Sequence, residues 1–361
     1  MSQRRLAGLV AVPLLLALWV AALWLPLPYV TYSPGITVDV LGQQDSDTGG
    51  DGQEIIQVTG HKTYRDDGEL RMTTVYVTQP EARVNLFEVM RAWLSDEDAV
   101  YPYDSVYAPD ETAEDADLES AVQMASSQDL AVAAALRELG VDVTPVVKIL
   151  NVGKNTPADG AFKVGDELLS IDGEEISDPA RVGEIVRADT DGTKLAFGIR
   201  RDGKEMTVRV APKVDDEGVP RIGVVPGNGF DFPFQVYVNI NPDIGGPSAG
   251  LMFSLAIYDT LTPDSLTGDE VVAGTGEIRE DGSVGPIGGI QQKIAAARKD
   301  GAALFLVPPD NCEDTEGAVN GDMRLVRADT MHDAVESIET WVADPDASLP
   351  SCSTSGEAAG E

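Results

Sequence analysis

Two short segments near the C-terminus hold residue types that could together cleave an acyl bond. The first, Gly245-Gly246-Pro247-Ser248-Ala249-Gly250, leads into the apolar run Leu251–Ala256. Glycines let the chain turn sharply and let a substrate backbone come close. A helix starting here puts Ser248 near unpaired backbone N–H groups and the positive end of the helix dipole. The oxyanion of a tetrahedral intermediate would be stabilised in such a place. By itself the segment reads first as an ordinary helix start, because serine is a common N-cap.

A serine nucleophile needs a base. The chain has two histidines, His61 and His332, and neither sits in a supporting motif. The second segment offers a lysine. Thr275-Gly276-Glu277-Ile278 leads through a turn to Gly285-Pro286-Ile287-Gly288-Gly289, then Ile290-Gln291-Gln292-Lys293. Gly288-Gly289 opens a helix on which Ile290, Ile294 and Ala297 share the buried face, with Lys293 at its margin and Arg298 and Lys299 toward water. Loss of hydration lowers a lysine pKa and frees the amine to act as a base. Alone, Lys293 is read more simply as a side chain snorkelling over its helix.

The elements that must hold these groups can be read from periodicity. In residues 218–343, strands are expected at Phe234–Ile240, Val271–Ile278, Leu304–Val307 and Arg324–Val326. Helices are expected after Ser248, over Ile290–Lys299 and over Met331–Trp341, giving an α+β domain. Residues 141–213 read as a separate module. It has an apolar strand at Val146–Val152, a helix capped by Asp178 with Pro179 in its first turn, and a hairpin turning at Asp202-Gly203. Residues 31–140 are β-rich at first, with strand patterns at Gly35–Val40 and Leu70–Val77 and a polar loop at Asp45–Gly52. Helices then follow at Asn85–Leu94 and Ser120–Leu139, separated by an acidic loop from Asp104 to Asp117. Residues 344–361 have the composition of a disordered acidic tail.

The N-terminus carries an uncharged apolar run, Leu6–Leu25, preceded by Arg4 and Arg5. Twenty such residues span the hydrocarbon core as a helix. The flanking arginines place the N-terminus in the cytoplasm and the body outside. A cleaved signal peptide is the alternative, but the run is long and Leu25-Pro26-Leu27-Pro28 is a poor cleavage site. The formal charge of −35 repels phosphate backbones and argues against a nucleic-acid partner. Cys312 and Cys352 lack metal-site spacing. They are either a disulfide, if this region is extracytoplasmic, or two free thiols. No cofactor or metal is expected.

Taken together, the two segments resemble the proteolytic domain of Lon peptidases over about residues 230–340. The resemblance rests on Gly-Pro-Ser-Ala-Gly at 246–250, Thr-Gly-Glu-Ile at 275–278, and Pro-Ile-Gly-Gly at 286–289 followed, after three residues, by Lys293. It implies a Ser–Lys dyad 45 residues apart, with Ser248 as nucleophile and Lys293 as base. Thr275 and Glu277 match the motif too, either as active-site support or in purely structural roles, and the resemblance implies a homo-oligomeric ring as one possible assembly. Many Lon proteins carry aspartate three residues before the serine, where this chain has Gly245. The Gly-Gly-Pro-Ser form resembles the membrane-anchored, PDZ-containing branch. No Gly-x-x-x-x-Gly-Lys-[Ser/Thr] motif occurs, so ATP-driven unfolding is not expected of this polypeptide.

The middle module resembles a bacterial protease PDZ domain through Thr156-Pro157-Ala158-Asp159-Gly160, Val164-Gly165-Asp166 and Ser170-Ile171-Asp172-Gly173. Such domains bind extended peptides by strand addition, here expected near Val146–Val152. The expected fold is thus α+β multidomain: a transmembrane anchor (6–25), a β-rich and helical segment (31–140), a PDZ domain (141–213) and a Lon-type domain (218–343). The expected function is ATP-independent endoproteolysis of extracytoplasmic or membrane-associated proteins. The alternative is an inactive membrane-anchored adaptor or chaperone scaffold.

Overall fold

The computed structural model describes residues 3–352 apart from 45–51, 66, 83, 110, 190 and 216–217; the side chains of 3–9 and 21 also lie outside it. The principal elements in chain order are α1 (Gln3–Trp24), β1 (Tyr29–Asp39), β2 (Ile56–Thr59), β3 (Glu69–Val77), α2 (Leu86–Trp93), β4 (Ala99–Pro102) and α3 (Ala113–Glu138). The middle of the chain forms β5 (Thr144–Val152), β6 (Glu167–Ile171), α4 (Pro179–Ala188), β7 (Leu195–Arg201), β8 (Lys204–Val210) and β9 (Val224–Asp231). The remainder forms β10 (Gln235–Val238), α5 (Gly250–Leu261), β11 (Val271–Gly274), β12 (Glu277–Ile278), β13 (Val284–Gly285), α6 (Ile290–Lys299), β14 (Leu304–Val307), β15 (Arg324–Arg327) and α7 (Met331–Ala343).

One mixed sheet, ordered β15-β14-β11-β3-β1-β4, joins the two ends of the chain. β11 lies parallel to both β3 and β14, while β1 runs antiparallel to β3. The expected boundary between residues 31–140 and 218–343 therefore does not separate two bodies. Strands of the early segment complete the sheet begun by the late one. Alternation along the strands explains the packing. Val272, Leu304 and Leu306 point to the face covered by α3, α5 and α7, and Ala273, Phe305 and Val307 point to the face covered by α6.

Local signals set most boundaries. Asn85 and Glu88 form a capping box at α2, and Asp178 caps α4 with Pro179 at its first position. Asp202 and Gly203, both at positive φ, make the β7–β8 turn. α3 begins well before the expected Ser120, because Thr112 and Asp115 form a capping box inside what reads as an acidic loop. The expected disordered tail is ordered as far as Cys352, which is disulfide-bonded to Cys312. Arg324 donates to the carbonyls of Pro345 and Ala347 there. Residues 353–361 and most of the expected polar loop, 45–51, lie outside the described residues.

β8-β7-β6-β5-β9, with α4 across one side, make a second core around Ile149, Phe162, Leu168, Phe197 and Ile199. Among the described residues no helix is long and apolar enough to cross a membrane. In α1 the described side chains run from Val10 to Val20 and from Ala22 onward. The expected transmembrane span is therefore without support from the structure.

Candidate active site

α5 begins at Gly250 with Ala249 as its cap residue, and no side chain caps it. Ser248 is thus free of the N-cap role that its sequence context suggests. The turn before it is shaped by glycine. Gly246 has φ +86°, and the Gly246 N–H donates to the Ser120 carbonyl of α3 at 3.0 Å. A Cβ on Gly245 would lie 2.6 Å from Cβ of Ser120. The aspartate that many Lon proteins carry at this position could not fit without moving α3.

α6 brings up the lysine. Its cap residue, Gly289, is left-handed at φ +71°, and a Cβ there would meet Val75 at 2.7 Å. Lys293 is only 2% exposed. The Lys293 Nζ donates to Ser248 Oγ at 2.7 Å and to Thr275 Oγ1 at 2.9 Å. Burial lowers its pKa to about 7. Thr275, fully buried, donates in turn to the Ser248 carbonyl at 2.9 Å, and the Gly276 N–H reaches the same oxygen at 2.8 Å.

These bonds leave two donors unspent. Neither the Ser248 nor the Ala249 N–H donates to a protein acceptor among the described residues. A trans peptide points its N–H opposite to its C=O. The Pro247 carbonyl is held by Ser127 Oγ at 2.9 Å and by Gly250 N–H at 3.2 Å, and the Ser248 carbonyl is held by Thr275 and Gly276. Both free N–H groups are therefore aimed away from these anchors. A cleft of about 430 Å³ opens beside these two side chains, lined by Met72, Thr74, Tyr76, Met124, Ser248 and Lys293.

Other sequence candidates lie elsewhere. His61 bonds the Lys62 carbonyl and stacks on Phe234, while His332 pairs with Glu138. Glu277 sits in the β12–β13 pair and makes no described hydrogen bond to the dyad. Arg298 and Lys299 lie toward solvent, as expected, and both pair with Glu97 there. Ser127 and Ser120 on α3 were absent from the sequence candidates. Only their helical spacing hinted that they could share a face.

Comparison with known proteins fits this geometry. Residues 241–339 match the family model for the Lon protease (S16) C-terminal proteolytic domain, and residues 117–211 match a PDZ domain. The chain carries a Lon-type proteolytic domain. The PDZ match begins inside α3, upstream of the expected start at 141.

A Lon protease of Campylobacter concisus is 29% identical over 186 residues, which are 48% of this chain and 23% of that protein. One from Campylobacter jejuni is 38% identical over 95 residues, 25% of this chain and 12% of that protein. The chain spans about a quarter or less of the length of such curated relatives. The solved PDZ domain of an SdrC-like protein from Listeria monocytogenes is 20% identical, covering 22% of this chain and 86% of its own, with TM-score 0.21.

The PDZ module corrects one expectation. Val146–Val152 is not a free edge, because β9 pairs with all of β5, from Val224 opposite Val152 to Asp231 opposite Thr144. The open, largely apolar groove lies instead beyond β9. It holds about 680 Å³ between α4 and the Val219–Pro226 segment, with Val182, Val186, Ile222, Val224 and Leu118 among its walls. The residues that form it, Arg221-Ile222-Gly223-Val224, follow the expected end of the module at 213 and were assigned to the Lon-type domain.

Proposed function

We propose that this chain is a serine endopeptidase that works without ATP, with Ser248 as nucleophile and Lys293 as general base. One observation carries the reading: a lysine amine stripped of water stands 2.7 Å from a serine hydroxyl. Among the described residues no carboxylate pairs with Lys293. Its pKa near 7 leaves much of it neutral at physiological pH, where the amine can accept the Oγ proton. Ser248 Oγ attacks the substrate carbonyl as its proton passes to Nζ. The Ser248 and Ala249 N–H groups stabilise the oxyanion, and Lys293 then protonates the leaving amine. Water, deprotonated by the same amine, releases the acyl-enzyme.

Substrates in this reading are proteins or peptides, presented as extended segments by the groove beside α4. Its apolar lining supports that assignment. We further propose that the body is extracytoplasmic and held to the membrane by α1. The uncharged apolar run Leu6–Leu25, preceded by Arg4 and Arg5, carries that reading. A disulfide also suits an oxidising compartment. Assembly of several copies rests on the family likeness alone.

Digestion of an unfolded protein such as casein, without nucleotide, tests the chemistry. Wild type should cleave, and Ser248→Ala and Lys293→Ala should not. Binding without cleavage by wild type would leave the scaffold reading. Alkaline extraction of membranes tests the anchor: full-length chain should stay with the lipid, and its release would remove that part of the proposal.

A further inference from the structure

The residue that stands out beyond the dyad is Ser127, in the middle of α3. It is 3% exposed and donates its one hydroxyl proton to the Pro247 carbonyl at 2.9 Å. α3 crosses the start of α5 so closely that a Cβ on Gly250 would fall 2.8 Å from Ser127 Oγ. The Ser127 hydroxyl therefore has a fixed position relative to the nucleophile turn. One α3 residue, Ser120, anchors Gly246 N–H, and another, Ser127, anchors the next carbonyl but one.

The Pro247–Ser248 peptide is the plane whose N–H must face the developing oxyanion. Its C=O and N–H point in opposite directions. Fixing the carbonyl against α3 fixes where the Ser248 N–H aims. Gly250 N–H also touches that carbonyl, but at 3.2 Å and as part of the helix start. Without Ser127 the plane could tilt about the chain axis while the turn stayed intact.

We propose that Ser127 is a positioning residue that aims the Ser248 N–H at the oxyanion. Among the described residues Ser127 makes no hydrogen bond to Lys293 or Thr275, so it acts through the peptide it holds. The proposal rests on the peptidase reading above. Transition-state stabilisation is affected, while substrate binding and the basicity of Lys293 are not.

The test compares full-length wild type with Ser127→Ala, using a cleavable peptide and a peptidyl boronic acid. The boronic acid forms a Ser248 Oγ–B bond, and the hydroxyl proton passes to Lys293 Nζ. The resulting tetrahedral anion samples the same N–H pair without turnover. Losing one oxyanion donor outright costs about 10²–10³-fold in kcat, so mis-aiming one should cost roughly tenfold.

The expected result is a kcat about tenfold lower, an equal loss of boronate affinity, unchanged KM, and an unmoved acid limb of the pH profile. Ser127→Cys, a weaker donor, should fall between the two. Unchanged kcat and boronate affinity in Ser127→Ala would overturn the proposal. So would a displaced pH limb, which would show that Ser127 acts on Lys293. If Ser127→Ala unfolds, Ser127→Cys takes its place, and unfolding of both assigns Ser127 to stability alone. Wild type that neither cleaves nor binds the boronate would instead refute the peptidase reading itself.

Discussion

Lys293 is held where a charged amine is least welcome, and its titration follows from that. With a pKa near 7, kcat/KM should rise with pH through about 7 as the amine becomes a free base. A pH–rate profile on a small peptide measures this; activity that stays flat from pH 5 to 9, spanning about 7, would contradict it. The same burial has a stability consequence. Between about 7 and 10.5 the unfolded chain binds a proton that the folded chain does not, so stability rises with pH across that window. Lys293→Met removes the buried amine and should be more stable than wild type. The gap should be largest below pH 7 and close toward 10.5. Denaturant melts at two pH values check the sign. A buried lysine that weakens the fold yet lies on a serine hydroxyl has a chemical reason to be there.

At the scale of elements, α3 ties the two domains together. Asp129 accepts Lys148 Nζ of β5 at 2.7 and 2.9 Å and the Phe230 N–H of β9 at 2.7 Å. Both partners of this ion pair are mostly buried. Removing one partner leaves the other charge unpaired out of water. Asp129→Ala should therefore cost about 3 kcal/mol of unfolding free energy, measured by urea melts. The double change Asp129→Leu with Lys148→Met should recover most of that loss. A cost below 1 kcal/mol, the range of about 0–1 kcal/mol typical of surface pairs, would mean that the pair is hydrated in solution. The helix was half legible beforehand. Its apolar spacing showed from Ser120 onward, but the first turns lay in an acidic stretch where composition argued for loop. The capping box at Thr112 overrode composition there, because two orphan N–H groups are satisfied at once.

Over the whole molecule, the chain leaves the sheet early and returns late, and its last described residues are pinned back by Cys312–Cys352. Closing a loop of 40 residues should contribute about 3–4 kcal/mol. Thermal melts with and without reductant should differ accordingly, and an identical midpoint would show the bond to be absent. The order of the last residues was not legible from composition. Pro, Ser and Asp predict mobility unless something fastens them, and here the guanidinium of Arg324 and the disulfide do so.

Types and spacing along the chain determined most of the helix starts, the hairpin at Asp202-Gly203 and most strands of the catalytic domain. Each of those rests on local chemistry, since a cap, a turn or a periodic apolar face needs only near neighbours, whereas the pairing of Ser248 with Lys293 was implied by the resemblance to Lon peptidases. Tertiary structure alone decided what depends on distant residues meeting. Residues 31–140 and 218–343 share one sheet, β9 covers the strand that appeared open to peptide, and Ser127 on α3 reaches a carbonyl 120 residues away. No local pattern encodes such contacts, because strand partners and the crossing of packed helices are selected by the burial of the whole core.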